Sequence, residues 1–162
     1  MNSLLRSIAD RWSENATLCG LVPFSRVFTG RIPQTELYRF PYVSILTSTG
    51  SPLFRTDKTR ASAGPVTFHV WVDDDHLEYA LDVAAAITEA YADTCWSLGG
   101  GSKVFDVGDG GEPLSVQVDL PTVKAWEVVK VMTFYVERNR VDTGTCCNAS
   151  SDGSISWDDG GS

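Results

Sequence analysis

The segment that most constrains this fold lies near the end of the chain, at 126–138. Its positions alternate as in a β-strand, yet most side chains on both sides are apolar. Val128, Lys130, Met132, Phe134 and Val136 alternate there with Val129, Val131, Thr133, Tyr135 and Glu137. Successive strand residues point to opposite faces of a sheet. The segment therefore predicts a central strand, with both faces covered or with one face buried by a neighbouring subunit.

Apolar periodicity predicts two helices and several further strands. In the first helix, at 2–14, Leu4, Leu5, Ile8 and Trp12 form one stripe. The second helix, at 76–93, carries a broader apolar stripe. Alternation and β-branched content predict strands at 26–32, 42–49, 66–72, 103–107 and 114–120. Runs of strands with two helices predict the α+β class, with a small mixed or antiparallel sheet and two helices packed on one face.

A basic stretch at 50–64 is predicted to be a loop or an extended hairpin, because turn-forming Gly and Pro residues lie at both of its ends. Segments of this length without structure of their own are usually functional or disordered. The stretch fits contact with an acidic partner surface or with DNA phosphate, and a solvated loop is the alternative. The residues predicted to contribute to a subunit interface are Arg55, Lys58, Arg60, Phe54 and Tyr135.

Charge divides the 162 residues into a predicted domain at 1–140 and an acidic Gly/Ser/Asp-rich tail at 141–162. The net charge is −8; the tail has four Asp and no Lys or Arg, and the rest has 17 acids against 13 bases. This balance argues against a grip on nucleic acid, which needs a basic surface. The acidic balance is compatible with a channel wall along which DNA slides, because like charge prevents the DNA from adhering.

No apolar run is long enough for a membrane span, and no signal peptide is recognisable.

No group of residues predicts catalysis, a cofactor or a metal site. His69 and the run Asp73–His76 are the candidates for a cation or for acid–base chemistry. Three adjacent aspartates rarely converge, however, and a helix N-terminus favours negative charge. Asp75 with Glu78 predicts a capping box there. Gly99–Lys103 lacks the spacing of a phosphate loop.

The four cysteines show no CxxC pair for zinc and are predicted to be reduced thiols.

The order of these elements resembles the tail-completion, or tail-terminator, proteins of long-tailed bacteriophages. An N-terminal helix precedes the segments 26–34 and 40–45, and the strand 66–72 then runs into an Ala-rich helix. The long strand at 128–138 closes the domain, so that the resemblance covers residues 3–138.

This resemblance implies a virion protein of the head–tail junction that is assembled in the host cytoplasm. It implies a ring, usually a homohexamer, that caps the tail tube and joins it to the head-completion or connector protein. DNA would pass through the lumen of the ring without specific binding. The family has no catalytic residues, so the resemblance implies a non-enzymatic structural protein without a cofactor.

Three other interpretations remain open at this point. The first is a head-closure or neck connector protein of the same junction, since such small folds are hard to separate by sequence. The second is a small cellular ligand-binding or regulatory module. The third is an enzyme that uses the Asp73–His76 run.

Overall fold

The computed structural model describes residues 3–56 and 59–139, which form three α-helices and eight β-strands. The helices are α1 (Ser3–Glu14), α2 (Ala16–Leu21) and α3 (Leu77–Tyr91). The strands are β1 (Val27–Thr29), β2 (Tyr42–Thr47), β3 (Ser51–Arg55), β4 (Thr59–Asp73), β5 (Trp96–Gly99), β6 (Ser102–Asp109), β7 (Leu114–Asp119) and β8 (Lys124–Asn139). The predicted tail at 141–162 lies outside the described residues.

All eight strands belong to one mixed sheet, so the predicted α+β class with a small sheet and two packed helices is wrong. The strand order is β1-β2-β4-β8-β6-β5, while β3 also pairs with β4 and β7 with β8. The β1–β2 pair is parallel and the other pairs are antiparallel. The chain is β-rich because pairing with β8 extends β4 back to Thr59. Tertiary context there overrides the weak strand preference of Ala, Gly and Pro.

The two longest strands, β4 and β8, form the centre of the sheet and confirm the predicted central strand. They pair from Thr59 opposite Asn139 to Asp73 opposite Ala125. β4 has β3 and β2 along its other edge, and β8 has β6 and β7. The sheet thus has a hairpin end, made of β3, residues 59–64 and residues 134–139. At its other end, which we call the α3 end, β4 leads into α3 and β8 begins.

The main hydrophobic core lies between the helices and one face of the sheet, as the apolar stripe of α1 predicts. Trp12 is fully buried, and its indole Nε1 donates to the Val22 carbonyl at 3.0 Å. The Tyr91 hydroxyl donates to the carbonyl of Ile8 at 2.8 Å and joins α3 to α1. Burying one large apolar side chain contributes about 1.5–3 kcal/mol. No helix in the described residues is long and apolar enough to cross a membrane.

The start of α3 differs from its prediction, because no capping box forms. His76 occupies the N-cap position without a side-chain cap bond. The turn is closed instead by Asp73, whose carbonyl accepts from the His76 N–H at 3.2 Å and whose carboxylate bonds His76 Nδ1. Asp75 is consequently left exposed to solvent.

The cysteines only partly follow the expectation of reduced thiols. Cys19 is free, and its Sγ lies 3.1 Å from the Trp12 carbonyl oxygen at the end of α1. Cys95, just before β5, is disulfide-bonded. The expectation is therefore wrong at Cys95.

Candidate assembly surfaces

The structure divides the predicted interface residues between two faces of the hairpin end. Arg55 lies directly opposite Arg60, so these two project from one face. Phe54 precedes Arg55 and projects from the other face, which also carries Tyr135 of β8. Lys58 lies outside the described residues. The five residues therefore do not form one patch.

Three arginines form a row across the hairpin end, which we call the arginine row. Arg55 lies opposite Arg60, and Arg60 lies opposite Arg138 of β8. All three are exposed, and none forms an ion pair within the described residues. Like charges directly opposite each other destabilise a sheet. Arg138 is not among the residues predicted for the interface, because only strand register brings it beside the other two.

Carboxylates concentrate at the α3 end, around an open depression beside the first turns of α3. Its lining includes Asp74, Asp75, Glu78, Asp82 and Trp126, a set that we call the acidic depression. The indole Nε1 of Trp126 donates to the Asp74 carbonyl at 3.0 Å. The Asp74 carboxylate accepts from Gln117 Nε2 at 2.5 Å, while the other three carboxylates have no ion pair within the described residues. No group of three or more potential metal ligands occurs among the described residues.

The sheet face away from the helices, which we call the outer face, is rich in exposed apolar side chains. Phe105 and Tyr135 pack together on it with ring centroids 5.9 Å apart. Its exposed members, at 37–64% exposure, are Leu46, Phe54, Phe105, Leu114, Val116 and Val131. They share this face because they lie opposite or beside the odd-numbered positions of β4 and β8. Exposed apolar side chains that concentrate on one face in this way mark interaction sites.

Strand β7 adds an open backbone edge to the outer face. Within the described residues β7 pairs only with β8, so its other edge carries unpaired N–H and C=O groups. Leu114 is 64% and Val116 is 41% exposed along this strand. Natural proteins usually protect such edges with charge, Pro or a covering element. In β7 the charge is confined to Asp119 at the end of the strand, so the apolar part at Leu114 and Val116 leaves its edge available for pairing with another chain.

Near its middle, the outer face holds a polar pair. His69 of β4 and Glu127 of β8 are joined by a 2.5 Å contact between Nδ1 and Oε1, and each side chain is about one-fifth exposed. Tyr42 lies nearby, stacked against Trp71 with centroids 6.1 Å apart. Burial raises the pKa of Tyr42 to about 12, with a further contribution from the Glu127 charge. His69 thus has a structural partner rather than the surroundings of a metal ligand.

Lys130 is the buried cation of the described core, and Asp109 at the end of β6 neutralises it. Its side chain is only 4% exposed, and Nζ donates to Asp109 Oδ1 at 2.5 Å and to the Gly111 carbonyl at 2.6 Å. The hydrogen bond from Lys130 holds the pKa of the Asp109 carboxyl below its usual range. This contact holds the β6–β7 connection on β8 and is structural.

Solved structures share this fold at low sequence identity. A chain from the "Virion of native gene transfer agent (GTA) particle" is 17% identical, with a TM-score of 0.64; the match covers 83% of this chain and 94% of that chain. A second solved chain is 14% identical, with a TM-score of 0.51 and coverage of 82% and 93%. No family model and no curated protein matches the sequence. At these identities, the likeness shows that this chain has the fold of a chain found in a virion.

Proposed function

We propose that this chain is a structural virion protein of a phage-like particle. The observation that carries the proposal is its fold, shared over 83% of its length with a chain of a gene transfer agent virion. The outer face supports an assembly role, because an exposed apolar sheet face with an open strand edge is uncommon in monomeric proteins and marks interaction sites. A non-enzymatic role agrees with the structural partners found for His69, Asp73 and His76.

Within the particle, we propose that the protein forms a ring that caps the tail tube and joins the tail to the head connector. The support is the order of helices and strands, which resembles tail-terminator proteins across residues 3–138. The net charge of −8 supports a lumen through which DNA passes without adhering. A hexameric ring, with the tube protein on one side and the head-completion protein on the other, is the arrangement proposed.

The outer face and the β7 edge are the surfaces assigned to contact with other virion subunits. Leu114 and Val116 lie where both features coincide. A lysine at either position would place a charge within a contact that excludes water, which is costly without a partner. Both side chains are exposed in the single chain, so these substitutions leave its own core intact.

Electron microscopy of particles produced without the gene tests the proposed role. Overlong tails are expected, because nothing would stop tube elongation. Filled heads that leak DNA would favour the head-closure alternative, and normal infectious particles would refute both roles. Complementation with the double variant Leu114→Lys/Val116→Lys should fail to restore tail length. The matched control Thr17→Lys adds a lysine at an exposed position of α2 and should restore it.

A further inference from the structure

We propose that the arginine row of one copy docks into the acidic depression of a second copy. The contact would join the hairpin end of one subunit to the α3 end of the next. It specifies how the subunits of the proposed assembly bind each other. It rests on the proposed function only in placing this assembly in a virion.

The arginine row has the properties of a binding surface for an acidic partner. Strand register holds Arg55, Arg60 and Arg138 side by side, and no described carboxylate pairs with them. A sequence that is locally consistent with its fold avoids such a row, and departures from this consistency concentrate at functional sites. Arginine also suits protein interfaces, because its planar guanidinium binds carboxylates through two parallel hydrogen bonds and stacks on aromatic rings.

The acidic depression offers both kinds of partner that arginine uses. Asp75, Glu78 and Asp82 are without described ion pairs, and Trp126 lies among them. A guanidinium over an indole ring gains cation–π attraction in addition to its ion pairs. The same chemistry occurs inside this chain, where the Arg11 guanidinium lies 4.5 Å from the ring centroid of Trp96. The two surfaces therefore match in charge and in side-chain chemistry.

Geometry prevents the two surfaces from meeting within one chain. Arg60 and Arg138 lie at the start of β4 and the end of β8, whereas Asp73 and Trp126 lie at the opposite ends of these strands. At about 3.3 Å per strand residue, the surfaces are roughly 40 Å apart. Contact between them must therefore join different copies. An interface made of two different patches is heterologous, so it repeats from subunit to subunit and gives a ring if the rotation closes.

Nucleic acid is the other class of ligand for three arginines, but the remaining charges disfavour it. The whole chain carries a net charge of −8, and its cations are few. Binding to phosphate requires an extended basic surface, because each neutralised phosphate adds only part of the affinity. The complementary acidic depression on the same molecule favours self-association.

Charge exchange between the two surfaces tests the contact. The row variant is Arg55→Glu/Arg60→Glu/Arg138→Glu, and the depression variant is Asp75→Lys/Glu78→Lys/Asp82→Lys. Sedimentation velocity of each purified full chain should show self-association weakened about tenfold or more in Kd. The chain with both sets of changes, or an equimolar mixture of the two variants, should recover the assembly. Raising salt from about 0.1 M to about 1 M should weaken the wild-type assembly, because the Debye length falls from about 10 Å to about 3 Å.

Two controls keep this test decisive. Arg31→Glu, an exposed arginine outside the row, should leave the assembly unchanged. If reversal at the start of α3 unfolds the helix by circular dichroism, the neutral set Asp75→Asn/Glu78→Gln/Asp82→Asn replaces it and should weaken association less strongly. A wild-type chain that sediments as a monomer, or variants that assemble like wild type, would overturn the inference. So would a row variant that loses binding to single- or double-stranded DNA but keeps its self-association.

The result is separable from the test of the proposed function. Charge exchange that controls assembly, together with normal particles in the absence of the gene, would remove the virion role and leave the contact standing. Overlong tails without the gene, together with assembly that is indifferent to both sets of substitutions, would remove the contact alone.

Discussion

Removing Asp109 is expected to destabilise the protein more than removing its charged partner Lys130. Lys130 is buried, and its ammonium has two acceptors, the Asp109 carboxylate and the Gly111 carbonyl. Asp109→Ala leaves that ammonium buried with one neutral acceptor. Lys130→Met removes the charge but keeps a side chain of similar length in the core. The Asp109 side chain, which is 45% exposed, then returns to water.

The expected magnitudes follow from these exposures. A hydrogen bond to a charged group contributes about 1.5–3 kcal/mol, and removing one partner of a buried pair costs more than removing both. Nearly half of the Asp109 side chain is exposed, and water screens its interaction with Lys130. We therefore expect Asp109→Ala to lower the free energy of unfolding by about 1–2 kcal/mol. Lys130→Met should cost less than about 1 kcal/mol, since an apolar side chain of the same shape fits the site. The double variant should resemble Lys130→Met rather than the sum of the two single variants.

Urea and thermal unfolding measure these differences directly. All variants must be compared at one protein concentration, because assembly makes the melting temperature depend on concentration. A cost of 1 kcal/mol should lower the melting temperature by about 2–4 °C. The hydrogen bond from Lys130 lowers the pKa of Asp109, so its stabilisation is present above the ordinary aspartate pKa of about 3.9 and is lost as pH falls. Additive costs in the double variant, or a harmless Asp109→Ala, would refute this account.

Two further predictions concern packing and alkaline pH. Gly110→Ala should cost about 1–3 kcal/mol, because a Cβ there would lie 2.2 Å from the Val131 carbonyl oxygen. The control Gly20→Ala, which meets no atom within 4 Å in helix α2, should be neutral or slightly stabilising in the same urea titration. Burial raises the pKa of Tyr42 to about 12, so the folded state favours the neutral phenol and stability should fall as pH rises from about 10 through about 12. Burial also raises the pKa of Tyr91, so Tyr42→Phe should reduce this fall in urea midpoints without abolishing it. An unchanged slope would contradict the contribution of Tyr42.

The elements that sequence analysis predicted correctly are those with a strong period of their own. The stripe that contains Ile8 and Trp12 forms α1, and the alternation at 126–138 forms the central part of β8. The fold class was wrong because it depends on how much strand the chain adds at weakly patterned segments. Residues 59–65 include Ala61, Gly64 and Pro65, whose strand preference is low, yet the 15-residue strand β4 runs through them.

The capping box failed for a related reason. Asp75 and Glu78 have the spacing of the motif, but the turn is closed by Asp73 and His76. Local sequence motifs compete with one another for the same backbone groups, and spacing alone does not decide between them.

By itself, the sequence determined the periodicities, the acidic balance and the presence of basic residues in the segment 50–64. The tertiary structure decided which of those residues share a surface. A shift of one residue in strand register moves every side chain to the other face, so no local pattern reveals that Arg138 lies beside Arg60 while Phe54 lies behind them. The separation of the arginine row from the acidic depression likewise depends on the continuous pairing of β4 with β8, a long-range property of the folded chain.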